Sequence, residues 1–295
     1  PFILSTYIYN CSTAVNQTIY AKVMLYRHMI SAPEVSTLYG IYSGKAVVLR
    51  NVPVALASAM SSAIIPTIAS SWVTDEKRET RKKVSRAVKV TMSVAIPCVA
   101  AFIFLAKPIV QILFPQKSSL DMASRLLTFL SVTVISFCLS TITNGVLQSI
   151  GKVNKPVTHA AIALGVQSLM LWLLLRHTGL GIYAIVIADV VFSTLVCVLN
   201  AVSLRQSMGY RQEIYATFVL PAICSGVMGV IARLAYELMH KLTQRNFISV
   251  LVAGILGFLV YLITLIQSGA VDEEDLKSYP KGRLIIRYLK KFRLL

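Results

Sequence analysis

Residues 247–267 read FISVLVAGILGFLVYLITLIQ, a run that contains no charged side chain. A helix needs about 20 predominantly apolar residues to cross the hydrocarbon core of a bilayer, so this run predicts a membrane-spanning helix. Further apolar stretches precede it, approximately at 1–20, 46–70, 88–106, 125–146, 157–175, 182–203 and 214–236. They are continuous rather than alternating, which indicates helices instead of barrel strands. The sequence therefore predicts an all-α integral membrane protein with about eight transmembrane helices.

The composition agrees with that class. Hydrophobic residues make up 56% of the 295 positions and the mean hydropathy is +0.70, which is more apolar surface than one soluble core of this length would bury. The five cysteines stand singly within the predicted spans, without metal or redox spacing. We therefore interpret them as small apolar packing residues.

The net charge of +17 has a pattern along the chain. Most lysines and arginines fall in residues 77–89, in the loops near 152–155 and 205–211, and in the tail. All of these segments share one side of the predicted bundle, and the positive-inside bias places that side, with the C-terminus, in the cytoplasm. No nucleic-acid partner is expected. Because the chain opens on Pro1 at a predicted span, we expect a fragment whose N-terminal part is missing.

The tail, 268–295, has its own pattern. Its apolar residues fall at helical spacing, at Leu284, Ile285, Tyr288, Leu289 and Phe292. Basic residues occupy much of the remaining surface. This arrangement predicts a basic amphipathic helix that lies on the inner leaflet and contacts anionic membrane lipids. A frayed, solvated tail is the alternative.

Polar side chains within the spans are the candidate substrate pathway, since amides and charges are costly in lipid and usually face water or a partner. The candidates are Asn10, Asn16, Gln17, Lys45, Arg50, Asn51, Asn144 and Gln148, with Asp189 as a possible ion-coupling residue. Asn10 and Gln17 are seven residues apart and share a helix face. That face and Arg50 could line an aqueous cavity. Alternatively, Arg50 snorkels to the outer surface, Asp189 merely pairs with a neighbouring helix, and His159 lies at the membrane interface.

The chain carries no signature of an enzyme. The sequence has no paired-carboxylate diphosphate motif, no His–Glu zinc motif and no Gly-rich phosphate loop before a helix. Most of its few acidic residues lie in predicted loops. We therefore expect a protein without catalytic activity, resident metal or cofactor.

Five segments together resemble the C-terminal part of the MOP superfamily of exporters and flippases, and most closely its MurJ and SpoVB-like polysaccharide branch. They are LYGIYSGK at 38–45, NVP at 51–53, IIPTIA at 64–69, LAKPIVQILF at 105–114 and NGVLQSIGK at 144–152. Family members have fourteen helices in two six-helix lobes and a final pair. The resemblance implies that this chain supplies helices seven to fourteen. It divides the chain into a transport lobe at 1–212, the pair at 213–267 and the cytoplasmic tail at 268–295.

The resemblance also implies a function. Members move lipid-linked saccharides, such as lipid II or another polyprenyl-diphosphate oligosaccharide, across the bacterial cytoplasmic membrane by alternating access. The purpose would be cell-wall, spore-cortex or polysaccharide synthesis. MurJ-like proteins carry cations in the central cavity, for which Arg50 and Lys45 are the candidates here. The missing N-terminal lobe would form the other wall. Two alternatives remain: a cation-coupled antiporter of the same superfamily that uses Asp189, and a non-transporting membrane scaffold.

Overall fold

The computed structural model describes residues 2–26 and 29–268, with side chains from residue 11 onwards. Within these ranges the chain is helical throughout, without strands. The α-helices are α1 (Phe2–Tyr26), α2 (Ala32–Ile41), α3 (Val47–Val73), α4 (Lys77–Phe104), α5 (Ala106–Leu113), α6 (Leu120–Ser149), α7 (Asn154–His177), α8 (Tyr183–Met208), α9 (Leu220–Thr243) and α10 (Asn246–Gln267).

Among the described residues, seven helical segments are long and apolar enough to cross a bilayer: Ala32–Val73, Lys77–Phe104, Lys117–Ser149, Asn154–His177, Tyr183–Met208, Tyr215–Thr243 and Asn246–Gln267. α1 is also long enough, at 25 residues, but its composition is more polar. The prediction of an all-α membrane protein is confirmed.

The helix bounds define two connections. The stretch before the second span is an extended helix end rather than a separate interfacial helix, because α2 runs on into α3 as one continuous segment. α4 begins at Lys77, so the charged residues that follow position 76 continue as helix into the third span. α4 ends at Phe104; the backbone leaves the helical region at Leu105, and α5 begins at Ala106.

The centre of the bundle is α6, which packs against α3, α4 and α8. Leu126, Leu127, Leu130 and Val134 on α6 are fully buried. Where α6 meets α3, Gly145 lies directly against the Ser61 and Ile65 side chains. A glycine at this crossing permits the close approach of two helix backbones that is common in membrane bundles.

α9 and α10 form a helix pair that packs on α4 and α5. Gly229 of α9 lies against the ring of Phe104, and the Tyr261 hydroxyl of α10 donates a 2.7 Å hydrogen bond to the Ser93 carbonyl of α4. The accessible side of this pair is covered by large apolar residues, including Leu251 and Phe258, as expected for a lipid-facing surface.

Three predictions about organisation stay predictions. These are the division into 1–212, 213–267 and 268–295, the cytoplasmic location of the C-terminus, and the amphipathic helix of the tail. The apolar residues that define that helix lie outside the described residues.

Candidate functional site

The bundle contains an ion pair between Arg50 of α3 and Asp189 of α8. The Arg50 Nη1 and Asp189 Oδ2 atoms are 2.7 Å apart, and the two side chains are only 10% and 9% exposed. Taking two charges out of water is costly, so such a pair is stable only when further hydrogen bonds satisfy the remaining lone pairs and protons. The surrounding helices supply those bonds.

One set of donors comes from α1 and α7. The buried face of α1 repeats every four residues, at Ser12, Asn16 and Tyr20. Asn16 Nδ2 donates to Asp189 Oδ1 at 3.3 Å, and Gln167 Nε2 of α7 donates to the same oxygen at 3.2 Å. The Ser12 hydroxyl in turn donates to Gln167 Oε1 at 2.8 Å. These contacts join α1, α7 and α8 through one carboxylate.

The other donor is Tyr42, and a local irregularity of the helix positions it. Residues Tyr42–Ala46 form a π-helical turn, in which the Val47 amide donates to the Tyr42 carbonyl. In a regular α-helix, residues seven apart lie on nearly the same face. A π turn adds about one residue, so Tyr42 and Arg50, which are eight apart, lie on nearly the same face. Tyr42 and Arg50 are thereby both buried, and the Tyr42 hydroxyl donates to Asp189 Oδ2 at 2.7 Å.

Arg50 has two further contacts that fix its guanidinium group. Its carbon Cζ lies 4.6 Å from the centre of the Phe137 ring of α6, which is a cation–π contact. Its Nε and Nη2 atoms donate to Asn51 Oδ1 at 3.4 and 3.3 Å. Asn51 is exposed, so it connects the buried cation with the accessible surface of α3. The possibility that Arg50 snorkels to the outer surface is wrong, because the guanidinium is directed into the bundle.

The Asp189 carboxylate thus accepts from four side chains: Arg50, Tyr42, Asn16 and Gln167. Three of the four are neutral. Within the described residues, Asn16 Oδ1 is a buried acceptor with no hydrogen-bond partner. The arrangement is an ion pair with no net charge, surrounded by amide and hydroxyl groups. These groups stabilise the two charges inside the bundle. The Asn16 Oδ1 atom remains as an unpaired acceptor beside them.

Beside this cluster the bundle has a polar accessible face. Gln17 and Thr18 of α1 are exposed, and α3 exposes Asn51, Ser58 and Ser62. The last three recur at spacings of seven and four residues, so they form one stripe along α3. Val52 and Leu56 of α3 are also exposed, so the polar groups form a stripe beside apolar ones. Polar groups within a span usually face water or other protein rather than lipid.

Sequence reasoning missed a second polar cluster between α6, α7 and α8. His159 is buried, and its Nδ1 lies 2.7 Å from Asn200 Oδ1 while its Nε2 lies 3.1 Å from the Ser203 hydroxyl. Asn200 Nδ2 also donates to Asn144 Oδ1 at 2.8 Å. His159 is therefore packed inside the bundle, and its predicted location near the membrane interface stays a prediction. The amide of Asn200, which lies within a predicted span, was the signal that could have revealed this cluster.

The remaining predicted site residues lie elsewhere. Lys45 Nζ donates to Gln116 Oε1 at 2.8 Å and to the Ser119 hydroxyl at 2.5 Å, so it is held by the segment between α5 and α6. Gln148 is half-buried near the end of α6. The Asn10 side chain lies outside the described residues. The fold thus brings Asn16, Arg50, Asn51 and Asp189 together, and it gives Lys45 and Asn144 different partners.

Glu237 is another acidic residue in a membrane-spanning helix. The seventh apolar stretch is predicted to end at 236, but α9 extends to Thr243 and includes Glu237. It pairs with Arg233, whose Nε is 2.7 Å from Glu237 Oε1.

These features define a multi-pass α-helical membrane protein with a polar site between its helices. The sequence model of the family described as "Lipid II flippase MurJ" matches residues 35–254. The chain belongs to the MurJ family of lipid II flippases.

A relative and a solved structure agree with that assignment. The chain is 24% identical over 246 residues to the probable lipid II flippase MurJ of Bdellovibrio bacteriovorus, a match that covers 79% of this chain and 46% of the relative. A structure described as lipid II flippase MurJ in an inward closed conformation superimposes with a TM-score of 0.62 at 17% identity. That superposition covers 86% of this chain and 50% of the other. The chain therefore spans about half the length of the proteins it matches.

Proposed function

We propose that this chain forms half of a flippase that moves a lipid-linked saccharide across the bacterial cytoplasmic membrane by alternating access. The substrate would be lipid II or another polyprenyl-diphosphate oligosaccharide, used for cell-wall, spore-cortex or polysaccharide synthesis. One observation carries the proposal: in a MurJ-family chain, the buried Arg50 lies beside exposed polar side chains of α3, and α1 exposes further polar groups.

The polar face matches the needs of a saccharide headgroup. A sugar diphosphate that crosses the bilayer must exchange its hydration for hydrogen bonds from the protein. Asn51, Ser58 and Ser62 offer amide and hydroxyl groups along one stripe of α3, and Gln17 of α1 exposes a further amide. A second lobe, contributed by the part of the protein that precedes this chain, would close the cavity over that surface. The missing N-terminal lobe is therefore the expected partner.

Arg50 is the candidate for the diphosphate contact, because a guanidinium can form bidentate, charge-assisted hydrogen bonds with phosphate oxygens. Because Arg50 forms an ion pair with Asp189, the substrate would have to compete with that carboxylate for the guanidinium. Asp189 would still accept hydrogen bonds from Tyr42, Asn16 and Gln167 if Arg50 moved away. This neutral shell lowers the free-energy cost of the exchange.

Such an exchange would couple binding to conformation. The Arg50–Asp189 pair joins α3 to α8. A diphosphate that binds the Arg50 guanidinium in place of Asp189 would weaken this connection between α3 and α8. A ligand shifts a conformational equilibrium only by its differential affinity for the two states, and competition for one guanidinium supplies such a difference.

The test uses the full-length protein in vesicles with a fluorescent lipid II analogue. Arg50→Ala should weaken binding roughly tenfold or more, which corresponds to the loss of charge-assisted hydrogen bonds. Asp189→Asn should keep or strengthen binding per folded molecule, because it frees the cation. Arg176→Ala is the control, since Arg176 is exposed and stacks on Trp172 of its own helix. Equal loss of binding in the Arg50 and Asp189 variants would overturn the diphosphate contact.

A second candidate function is a cation-coupled antiporter, with Asp189 as the coupling residue. One observation favours it: Asn16 Oδ1 is buried without a partner in the shell of the Asp189 carboxylate. Carbonyl and carboxylate oxygens are the usual ligands of hard cations. Transport of the lipid II analogue that is unaffected by sodium and proton gradients would speak against coupling at Asp189.

A further inference from the structure

A second cationic site lies at the opposite end of α4 from the basic residues 77–89. A cavity of about 460 Å³ opens there between α4, α5, α6, α8 and α9. Its lining combines three cations with apolar and aromatic groups, among them Lys107, Arg125, Arg233, Ile103, Phe129 and Tyr183. This site differs from the Arg50 cluster, in which Asp189 neutralises the cation. None of the functions considered above assigns a role to this cavity.

Arg233 lies within an apolar membrane-spanning helix, where a charge is costly unless it meets a partner or water. Two contacts fix its orientation. Its Nε atom pairs with Glu237 at 2.7 Å, and its Nη1 atom lies 3.5 Å from the Phe104 carbonyl at the end of α4. Because of these contacts the guanidinium stays at the wall of the cavity.

Lys107 and Arg125 supply the other charges. Lys107 Nζ pairs with Asp121 Oδ1 at 2.7 Å. Arg125 is exposed. Among residues 29–268 it forms no hydrogen bond or ion pair, and it interacts electrostatically with Asp121, the carboxylate that Lys107 already pairs with. The site therefore has three cations and two carboxylates, Asp121 and Glu237. The cation without an ion pair, Arg125, lies near the first turn of α6, where the helix dipole adds positive potential. The site has an excess of positive charge and a donor that is available to a ligand.

The walls of the cavity are suited to hydrocarbon. Phe129 is 57% exposed and Ile103 is 46% exposed, and both lie in membrane-spanning helices. The Tyr183 ring packs edge-on against Phe129 with the ring centres 5.8 Å apart. Tyrosine is enriched at the level of lipid headgroups, where one end of its side chain is apolar and the other is wet. A ligand that fills this space must therefore be anionic at one end and apolar at the other.

We propose that this cavity binds the phosphate group of an anionic phospholipid from the leaflet at this end of the bundle. Arg125 provides the main contact to the phosphate, and the guanidinium of Arg233 and the ammonium of Lys107 complete the positive surface. An acyl chain lies along Phe129 and Ile103. The site joins the α9–α10 pair to the rest of the bundle through a lipid, independently of the proposed transport.

The experiment measures lipid retention by the full-length protein with native mass spectrometry in detergent. Dioleoyl-phosphatidylglycerol, dioleoylglycerol and inorganic phosphate are titrated separately. The variants are Arg125→Gln, Arg125→Lys and the control Arg176→Gln, whose arginine is exposed on α7 outside the cavity. We expect Arg125→Gln to weaken the tightest phosphatidylglycerol adduct roughly tenfold. Arg125→Lys should retain most of the affinity, and the control should match the wild type.

Three outcomes would overturn the proposal. If Arg125→Gln and Arg176→Gln retained phosphatidylglycerol equally, Arg125 would not be the phosphate contact. If dioleoylglycerol bound as tightly as phosphatidylglycerol, the apolar wall alone would account for binding. If inorganic phosphate displaced the lipid at comparable concentration, the site would be one for free phosphate. Because Arg125 is exposed, its variants should fold, which size-exclusion chromatography checks.

Discussion

Arg50 and Asp189 are 139 residues apart in the chain, and a 2.7 Å ion pair joins them inside the bundle. The pair connects α3, which carries the polar accessible face, with α8. It also organises donors from α1, α7 and the π-helical turn around one carboxylate. The contact therefore links the candidate pathway to the packing of the helices behind it.

Asp189→Ala should destabilise the protein by about 3–5 kcal/mol, because it leaves the Arg50 charge buried without its counter-ion. The measurement is thermal unfolding of the purified protein in detergent, compared with wild type. The double variant Arg50→Leu with Asp189→Leu is the matched control, since it removes both charges and replaces them with apolar volume. It should be markedly more stable than Asp189→Ala, and equal stability would contradict the energetic account of the pair.

Gly145→Val should destabilise the packing of α6 on α3. An added Cβ would meet the Ile65 Cδ1 atom at 2.8 Å and would also contact Ser61, so these side chains or the helices that carry them must shift. Overpacking of this kind costs about 1–3 kcal/mol. Gly165→Val on α7 is the control, because an added Cβ there meets no atom within 4 Å. Equal melting temperatures of the two variants in detergent would show that the Gly145 crossing tolerates side chains.

Gly229→Ala tests how the α9–α10 pair is attached to the bundle. A Cβ at this position would come within 2.6 Å of the Phe104 Cε2 atom, so the ring must be displaced. Gly226→Ala on the same helix is a matched control with open space around the added Cβ. We expect faster proteolysis between α8 and α9 in the Gly229 variant alone. Similar proteolysis rates in both variants would mean that this contact does not hold the pair in place.

Asn200→Ala should cost about 1–3 kcal/mol, because it leaves buried groups of His159 and Thr143 without their hydrogen-bond partner. The comparison is Asn154→Ala, which removes an exposed amide at the start of α7. Surface substitutions usually stay within about 0.5 kcal/mol. A loss of thermal stability in detergent that is as large for Asn154 as for Asn200 would contradict the stabilising role of the His159 cluster.

Sequence patterns predicted the helices well because membrane spans are defined by length and composition. The run at 247–267 corresponds to α10, Asn246–Gln267, and the stretch at 182–203 to α8, Tyr183–Met208. The errors were at the ends. Residues such as Glu237 lie in a helix that continues past the apolar window, since polar residues extend a helix without changing its apolar core.

The candidate site was predicted in part. Asn16, Arg50 and Asp189 were chosen because polar groups are costly in lipid, and that argument applies to each residue separately. It does not identify partners. Tyr42, for example, lies in a π-helical turn that directs it into the bundle, where its hydroxyl donates to Asp189. A local change in helical register is not visible in residue composition.

The sequence by itself determined the class of protein, the approximate bounds of most spans and the resemblance to the MurJ branch, because hydrophobic length and short motifs are local properties. The tertiary structure alone decided which polar groups meet. It separated Lys45 from Arg50, placed His159 with Asn200, and brought Lys107, Arg125 and Arg233 around one cavity. The physical reason is that contacts between residues far apart in the chain depend on which faces the helices bury against one another.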